Sequence, residues 1–181
     1  GQQKVFITDI TTAEGIKMFY NTFATSKIVF ANAYGEMAHK LGMNANDMYQ
    51  AFSLSTNRIN SPKYLKPGVG DGGACHIRDN TAMSHLAKKT GLSFDIFESF
   101  LAAREKHMEW LANLAKDESK SARLPIVILG KAFKPETNIE TGSCAILLAN
   151  ILKAEGAKFT HWGLDYPKRL PAAVYILATQ H

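Results

Sequence analysis

The hydrophobic period of the chain changes once, close to residue 120, and that change decides what it can fold into. From Thr12 to Leu114 apolar residues recur at helical spacing. Beyond Leu124 they come as short runs, Pro125–Gly130, Lys158–Trp162 and Ala173–Thr179, with a helical stretch Ser143–Glu155 among them. Strand–helix–strand is the beginning of a parallel α/β sheet. The expected fold class is therefore α + α/β: an all-helical part, residues 1–120, then an incomplete parallel α/β part, residues 121–181. Asp117–Leu124 is polar and reads as the linker between them. A length of 181 residues suits one ordinary domain or two small ones, and no internal repeat suggests otherwise.

Four helices are predicted in the first part. Thr12–Leu41 reads as one long helix, with Thr11 and Glu14 at capping-box spacing and Gly42 as its stop. Asn44 or Asn46 caps a second through Leu54. A third runs from Cys75 or His76 to Lys89, ended by Gly91, and a fourth from about Ser93 through Leu114. Ser55–Ala74 is a loop, crowded with Pro62, Pro67, Gly68, Gly70, Gly72 and Gly73.

Composition narrows the function. The net charge is +5, but the bases are scattered among acids, with no arginine stripe, zinc-finger spacing or RNA-binding aromatic signature. Nucleic acid is thus not expected as a partner, and anionic small molecules are the better class. No apolar run reaches the roughly 20 residues of a membrane span, and Gly1–Ile10 has no signal-peptide pattern. Two cysteines cannot form a disulfide framework, so a reducing, cytoplasmic setting is expected. The histidines show no metal-ligand spacing, and no metal is expected.

Three groups of residues can carry chemistry. On the first helix Glu14, Lys17, Asn21, Thr25 and Asn32 stack on one face of an otherwise apolar, buried-looking helix. That stripe is either the solvated face or a set of groups satisfied by a ligand or a subunit. If it faces a ligand, Lys17 and Asn21, one turn apart, aim an ammonium and an amide at the same oxygen. The second group is Gly68-Val-Gly-Asp-Gly-Gly-Ala-Cys75, whose glycines let backbone approach a ligand closely. It is no dinucleotide fingerprint, because no strand precedes it. Cys75 then stands at a helix start, where the dipole favours a thiolate, and Asp79 lies one turn on. A packed thiol with a dipole-compensating aspartate is the plain alternative. Third, Arg58, Lys63 and Lys66 offer donors suited to a diphosphate, or are simply solvated. Cys144, among Ile146 and Leu147, reads as core.

Taken together these residues resemble the nucleotide-sugar 6-dehydrogenases, the family of UDP-glucose, GDP-mannose and UDP-N-acetylmannosamine dehydrogenases. Ala13-Glu14-Gly-Ile-Lys17-Met-Phe-Tyr-Asn21 is similar to the family's A-E-x-x-K-x-x-x-N, and Arg58-Ile59 to its R-I. Tyr64-Leu65-Lys66 through Gly73-Ala-Cys75 is similar to its substrate loop and catalytic cysteine, with Arg78-Asp79 for its K-D. Leu129-Gly-Lys-Ala-Phe133-Lys134-Pro135-Glu-Thr137 is similar to the L-G-x-A-F-K-x-x-T that opens the C-terminal nucleotide domain.

The resemblance implies an NAD-dependent oxidation of a sugar C6 alcohol to a carboxylate in two hydride transfers, through a thiohemiacetal and a thioester on Cys75. It implies Lys17 and Asn21 as oxyanion partners, Asp79 as orienter of water, and Cys75 with Arg78 on the cofactor side. Arg58, Tyr64, Leu65, Lys66, Gly70, Gly72, Phe133 and Lys134 would hold a UDP- or GDP-sugar. It further implies a homodimer through helix 12–41 and a truncated, Rossmann-like C-terminal part. The sequence departs from the pattern where Asp71 replaces an aromatic, Asn60 a glycine, and Thr137-Asn-Ile-Glu140-Thr-Gly-Ser143 a T-D-D-x-R-E-S that carries an arginine. No N-terminal NAD-binding domain is seen in these residues, so the chain alone is expected not to turn over. The alternative is a non-catalytic dimerisation or nucleotide-sugar-binding module.

Overall fold

The computed structural model describes residues 5–57, 59–60, 68–69, 73–134, 137–163, 165 and 167–178, apart from the side chains of residues 18–19, 21–22, 24–25, 28–29 and 32. Four helices come first: α1 (Ile10–Leu41), α2 (Ala45–Leu54), α3 (Ala74–Thr90) and α4 (Ile96–Ala122). They are followed by β1 (Ile126–Leu129), α5 (Cys144–Ala154), β2 (Phe159–Trp162) and β3 (Val174–Leu177). The three strands form one parallel sheet in the order β2-β1-β3. This is the expected α + α/β class.

The sheet's central strand, Ile-Val-Ile-Leu, is buried at all four positions, as a parallel strand covered on both faces should be. Leu148 and Leu152 of α5 pack against it, and so do Met108, Ala112 and Ala115 of α4. A second, smaller core joins Met37 of α1, Ala87 of α3, and Ile96 and Phe97 of α4. Cys144 is buried at the sheet-side core, as expected. α4 thus contributes its first turns to one core and its later turns to the other.

Local signals explain most boundaries. Asn44 caps α2 through its side-chain oxygen, and Gly42 and Gly91 close α1 and α3 in the left-handed conformation. Three expectations need correction. The linker Asp117–Leu124 is instead the end of α4, which continues to Ala122 because nothing in Asp117-Glu-Ser-Lys-Ser-Ala breaks a helix. It stops only at Arg123, whose φ is +56°. The cap of α1 is Asp9, not Thr11: its carboxylate accepts the Thr12 amide at 2.9 Å and the Thr12 hydroxyl at 2.6 Å. The fourth helix starts at Ile96 under Asp95, while Ser93 donates its amide and hydroxyl to Glu36.

α1 is also less enclosed than its apolar sequence suggests. Its 32 residues extend about 48 Å, further than the neighbouring helices cover. Met37 and Ala38 are buried, and Phe30 and Tyr34 meet Phe52 of α2 in an aromatic cluster. Ile16, Tyr20 and Phe23 stay exposed in the single chain.

Candidate functional site

Cys75 is the second residue of α3, exposed on its first turn. The helix begins there because Gly73, at φ +78°, takes a backbone conformation that an L side chain would strain. Among the described residues no side chain caps α3, and the Gly73 carbonyl accepts from the His76 and Ile77 amides. Gly73 is needed for a second reason, since a Cβ at that position would overlap the ring of Phe133. Gly142, at φ +73°, comes equally close to the backbone of Ala74. The long β1–α5 connection therefore rests on the start of α3 at two points. Phe133 and Cys75, far apart in sequence, belong to one junction.

The Phe133 amide donates to the Ile139 carbonyl at 3.0 Å, folding that connection back on itself. Lys134 is exposed, with its ammonium 5.4 Å from the Phe133 ring centroid. Asp79 sits one turn beyond Cys75, but its carboxylate is engaged by its neighbour: Arg78 Nε and Nη2 each lie 3.0 Å from Asp79 Oδ1. Both side chains are solvent-exposed, so the pair adds little stability. Asp79 nevertheless holds the Arg78 guanidinium above its ordinary pKa, with Cys75 contributing less.

Lys17 is exposed on α1 and, among the described residues, has no hydrogen-bond or ion-pair partner. α1 and α3 meet near their C-terminal ends, where the Thr90 hydroxyl lies 3.6 Å from Met37 Sδ. Lys17 and Cys75 both lie towards the opposite ends of those helices. Asn21 follows Lys17 by one turn, its side chain outside the described atoms. Arg58, Tyr64, Leu65, Lys66, Gly70 and Gly72, and with them Asp71, also lie outside the described residues.

Two clefts flank the junction. One, of about 260 Å³, lies between the first turns of α3 and α4 and is lined by His76, Ile77, Asn80, Phe100, Leu101 and Arg104. The other, of about 210 Å³, opens at the carboxyl ends of β1 and β2 beside Gly130, Lys131, Thr137 and Asp165, where parallel α/β units commonly bind ligands. Among the described residues no three His, Cys, Asp or Glu side chains gather as a metal site, and no helix is long and apolar enough to cross a membrane.

Arg104 and Gly142 are absent from the sequence-derived site. Arg104 Nη2 donates to the Gly142 carbonyl at 3.3 Å, tying α4 to the β1–α5 connection. The signal was present: Leu101, Arg104 and Met108 follow helical apolar spacing, so a guanidinium stands on an inward-facing stripe.

The fold and the junction define a class: a helical domain continued by a parallel α/β unit, with an exposed thiol where the two meet. Residues 11–106 match the model of the UDP-glucose/GDP-mannose dehydrogenase family, central domain. The UDP-glucose 6-dehydrogenase TuaD of Bacillus subtilis is 31% identical over 177 residues, 97% of this chain and 37% of that protein. The UDP-glucose 6-dehydrogenase of Rhizobium meliloti is 28% identical over 174 residues, 93% of this chain and 39% of that protein. Among solved structures, GDP-mannose dehydrogenase from Pseudomonas aeruginosa, crystallised as a ternary complex, shares the fold. It superposes with a TM-score of 0.73 at 24% identity, over 83% of this chain and 34% of that one. The chain belongs to the UDP-glucose/GDP-mannose dehydrogenase family, and it spans 37% and 39% of the length of the two relatives.

Proposed function

We propose that this chain is the substrate-handling portion of a nucleotide-sugar 6-dehydrogenase, with Cys75 as its nucleophile. The supporting observation is the junction: an exposed thiol on the first turn of α3, immediately after a glycine packed on Phe133. In this reading residues 1–120 form the dimerisation part with the substrate loop, and residues 121–181 the nucleotide-binding part. The exposed Ile16, Tyr20 and Phe23 of α1 are then covered by a second copy. A UDP- or GDP-sugar is held by Arg58, Tyr64, Leu65, Lys66, Gly70 and Gly72 from the loop, and by Phe133 and Lys134 across the junction.

Two NAD molecules, bound in turn, would each accept one of the two hydrides of the oxidation. These residues fit it at one end alone. Arg78 offers a guanidinium beside Cys75, but the β1–α5 connection carries Gly130-Lys-Ala-Phe133 in place of a glycine-rich pyrophosphate turn. Among the described residues the rest of a dinucleotide has no cradle, and the chain by itself is not expected to turn over.

The Cys75 thiolate adds to the carbonyl carbon of the C6 aldehyde, and the carbonyl oxygen takes a proton, giving a thiohemiacetal. Covalent capture keeps the aldehyde in place between the two oxidations. Loss of hydride from the thiohemiacetal carbon and of the proton from its hydroxyl leaves a thioester, which water hydrolyses to the carboxylate and the free thiol. Lys17 and Asn21 stabilise the oxyanion formed at each addition, and Asp79 orients the water once Arg78 releases it.

The test is alkylation of Cys75 by iodoacetamide, read by peptide mass spectrometry, with the buried Cys144 as internal reference. UDP or GDP should slow labelling of Cys75 and leave Cys144 unaffected. Mixing the chain with NAD and UDP-glucose should give no NADH. An unreactive Cys75 that ignores both nucleotides would support the non-catalytic scaffold instead.

A further inference from the structure

We propose that Arg104 is a positioning residue for the chemistry at Cys75, an inference that rests on the reading of Cys75 as the nucleophile. Arg104 stands on α4 one turn before Met108, which is fixed in the sheet-side core. On that same inward face its guanidinium lines the cleft shared with His76, Ile77 and Asn80 of α3. There it donates to the Gly142 carbonyl. Gly142 in turn lies against the Ala74 backbone, so closely that no side chain could stand between them. Ala74 precedes Cys75. An unbroken chain of contacts thus runs from the sheet-side core, through one guanidinium and one carbonyl, to the residue before the thiol.

The same connection carries Phe133 and Lys134, and its fold is closed by the Phe133–Ile139 hydrogen bond. Arg104 therefore fixes two things together: where the β1–α5 connection lies on α3, and where Phe133 and Lys134 stand relative to Cys75. A hydrogen bond from a charged donor in a half-buried setting favours one placement of a loop over its alternatives. The predicted consequence is specific. Arg104 should govern how well a nucleotide reaches across the junction, and not how reactive the thiol is in its absence.

The experiment uses the full 181-residue chain and measures two quantities: the rate of Cys75 alkylation without ligand, and the UDP concentration that halves it. In Arg104→Met the unprotected rate should stay within about twofold of the parent, while the half-protecting UDP concentration rises about tenfold, as loss of one charged hydrogen bond implies. Arg104→Lys, which keeps a cationic donor, should recover most of that loss. Gly142→Ala breaks the next link, the packing of Gly142 on the Ala74 backbone, and should produce a similar rise. The double variant should be no worse than the worse single one, because both links lie in series on one path. A general loosening of the fold would instead raise labelling of Cys144, and that result overturns the proposal. So does unchanged UDP protection in Arg104→Met, or additive losses in the double variant. Should Arg104→Met not fold, Arg104→Gln and Gly142→Ala carry the same comparison. A parent chain whose Cys75 is not protected by UDP overturns the functional reading itself, and the role of Arg104 falls with it.

Discussion

Replacing Gly73 with alanine tests the junction directly, because two separable effects act there. The first is conformational: φ is +78° with ψ at −161°, a region outside αL that is essentially glycine's own, so an L side chain there costs about 1–3 kcal/mol. The second is steric, since the new methyl overlaps the Phe133 ring, which must move. Displacing a half-buried aromatic and repacking its surroundings costs a further 1–2 kcal/mol, about. Gly156 provides a control free of any clash: its φ is +71°, and a Cβ there meets nothing within 4 Å, so Gly156→Ala carries a conformational cost and no steric one. Urea unfolding followed by circular dichroism should therefore place Gly73→Ala below Gly156→Ala by about 1–2 kcal/mol. For a chain of this size that is a melting temperature lower by about 2–8 °C. Adding Phe133→Ala should remove the steric part of the excess. The reasoning fails if the two glycine variants agree within about 0.5 kcal/mol, or if removing the Phe133 ring leaves the excess unchanged.

Three further outcomes are expected. Leu148 is fully buried between α5 and the sheet, and Leu148→Ala should lower unfolding free energy by about 3 kcal/mol in the same titration. Burial resists ionisation of Asp95, but the Ser84 hydroxyl at 2.6 Å and the Glu98 amide at 3.0 Å prevail and hold its pKa below the usual aspartate value. A lowered folded pKa adds stability above the unfolded value of about 3.9, which is lost as pH falls through the folded one. Asp95→Asn should accordingly flatten the acid side of the stability–pH curve below about pH 4, and a curve as steep as the parent's would refute this. Phe23→Glu, on the exposed stretch of α1, should convert a dimer to a monomer in sedimentation velocity. A parent already monomeric at tens of micromolar would remove the reason for that expectation.

The parts of the fold legible in the sequence are those with punctuation. Asn44, Gly42 and Gly91 set helix ends within a residue or so, and the four branched apolar residues after Pro125 could only be a buried strand. The end of α4 was not legible, because a helical turn that protrudes from its core is as polar as a loop. The cover over α1 was not legible either: periodicity states that a face is apolar, not which surface meets it. At the site, the glycine run points to a helix starting at Cys75 or His76, and α3 begins one residue earlier, at Ala74. The Arg78–Asp79 pair was unforeseen, since adjacent helical residues ordinarily diverge. Gly142 looked like any loop glycine until Ala74 was found against it.

The position of α4 in both cores has a consequence for how the molecule comes apart. Met108, Ala112 and Ala115 depend on the sheet, while Ile96 and Phe97 depend on α1 and α3, yet all five belong to one continuous run of backbone hydrogen bonds. Melting either core removes half the support of that run, so the two halves share a fate that their separate compositions would not suggest. Amide hydrogens in the middle of α4 should then exchange with solvent only when the whole chain opens, more slowly than those of α2, which has no fully buried residue.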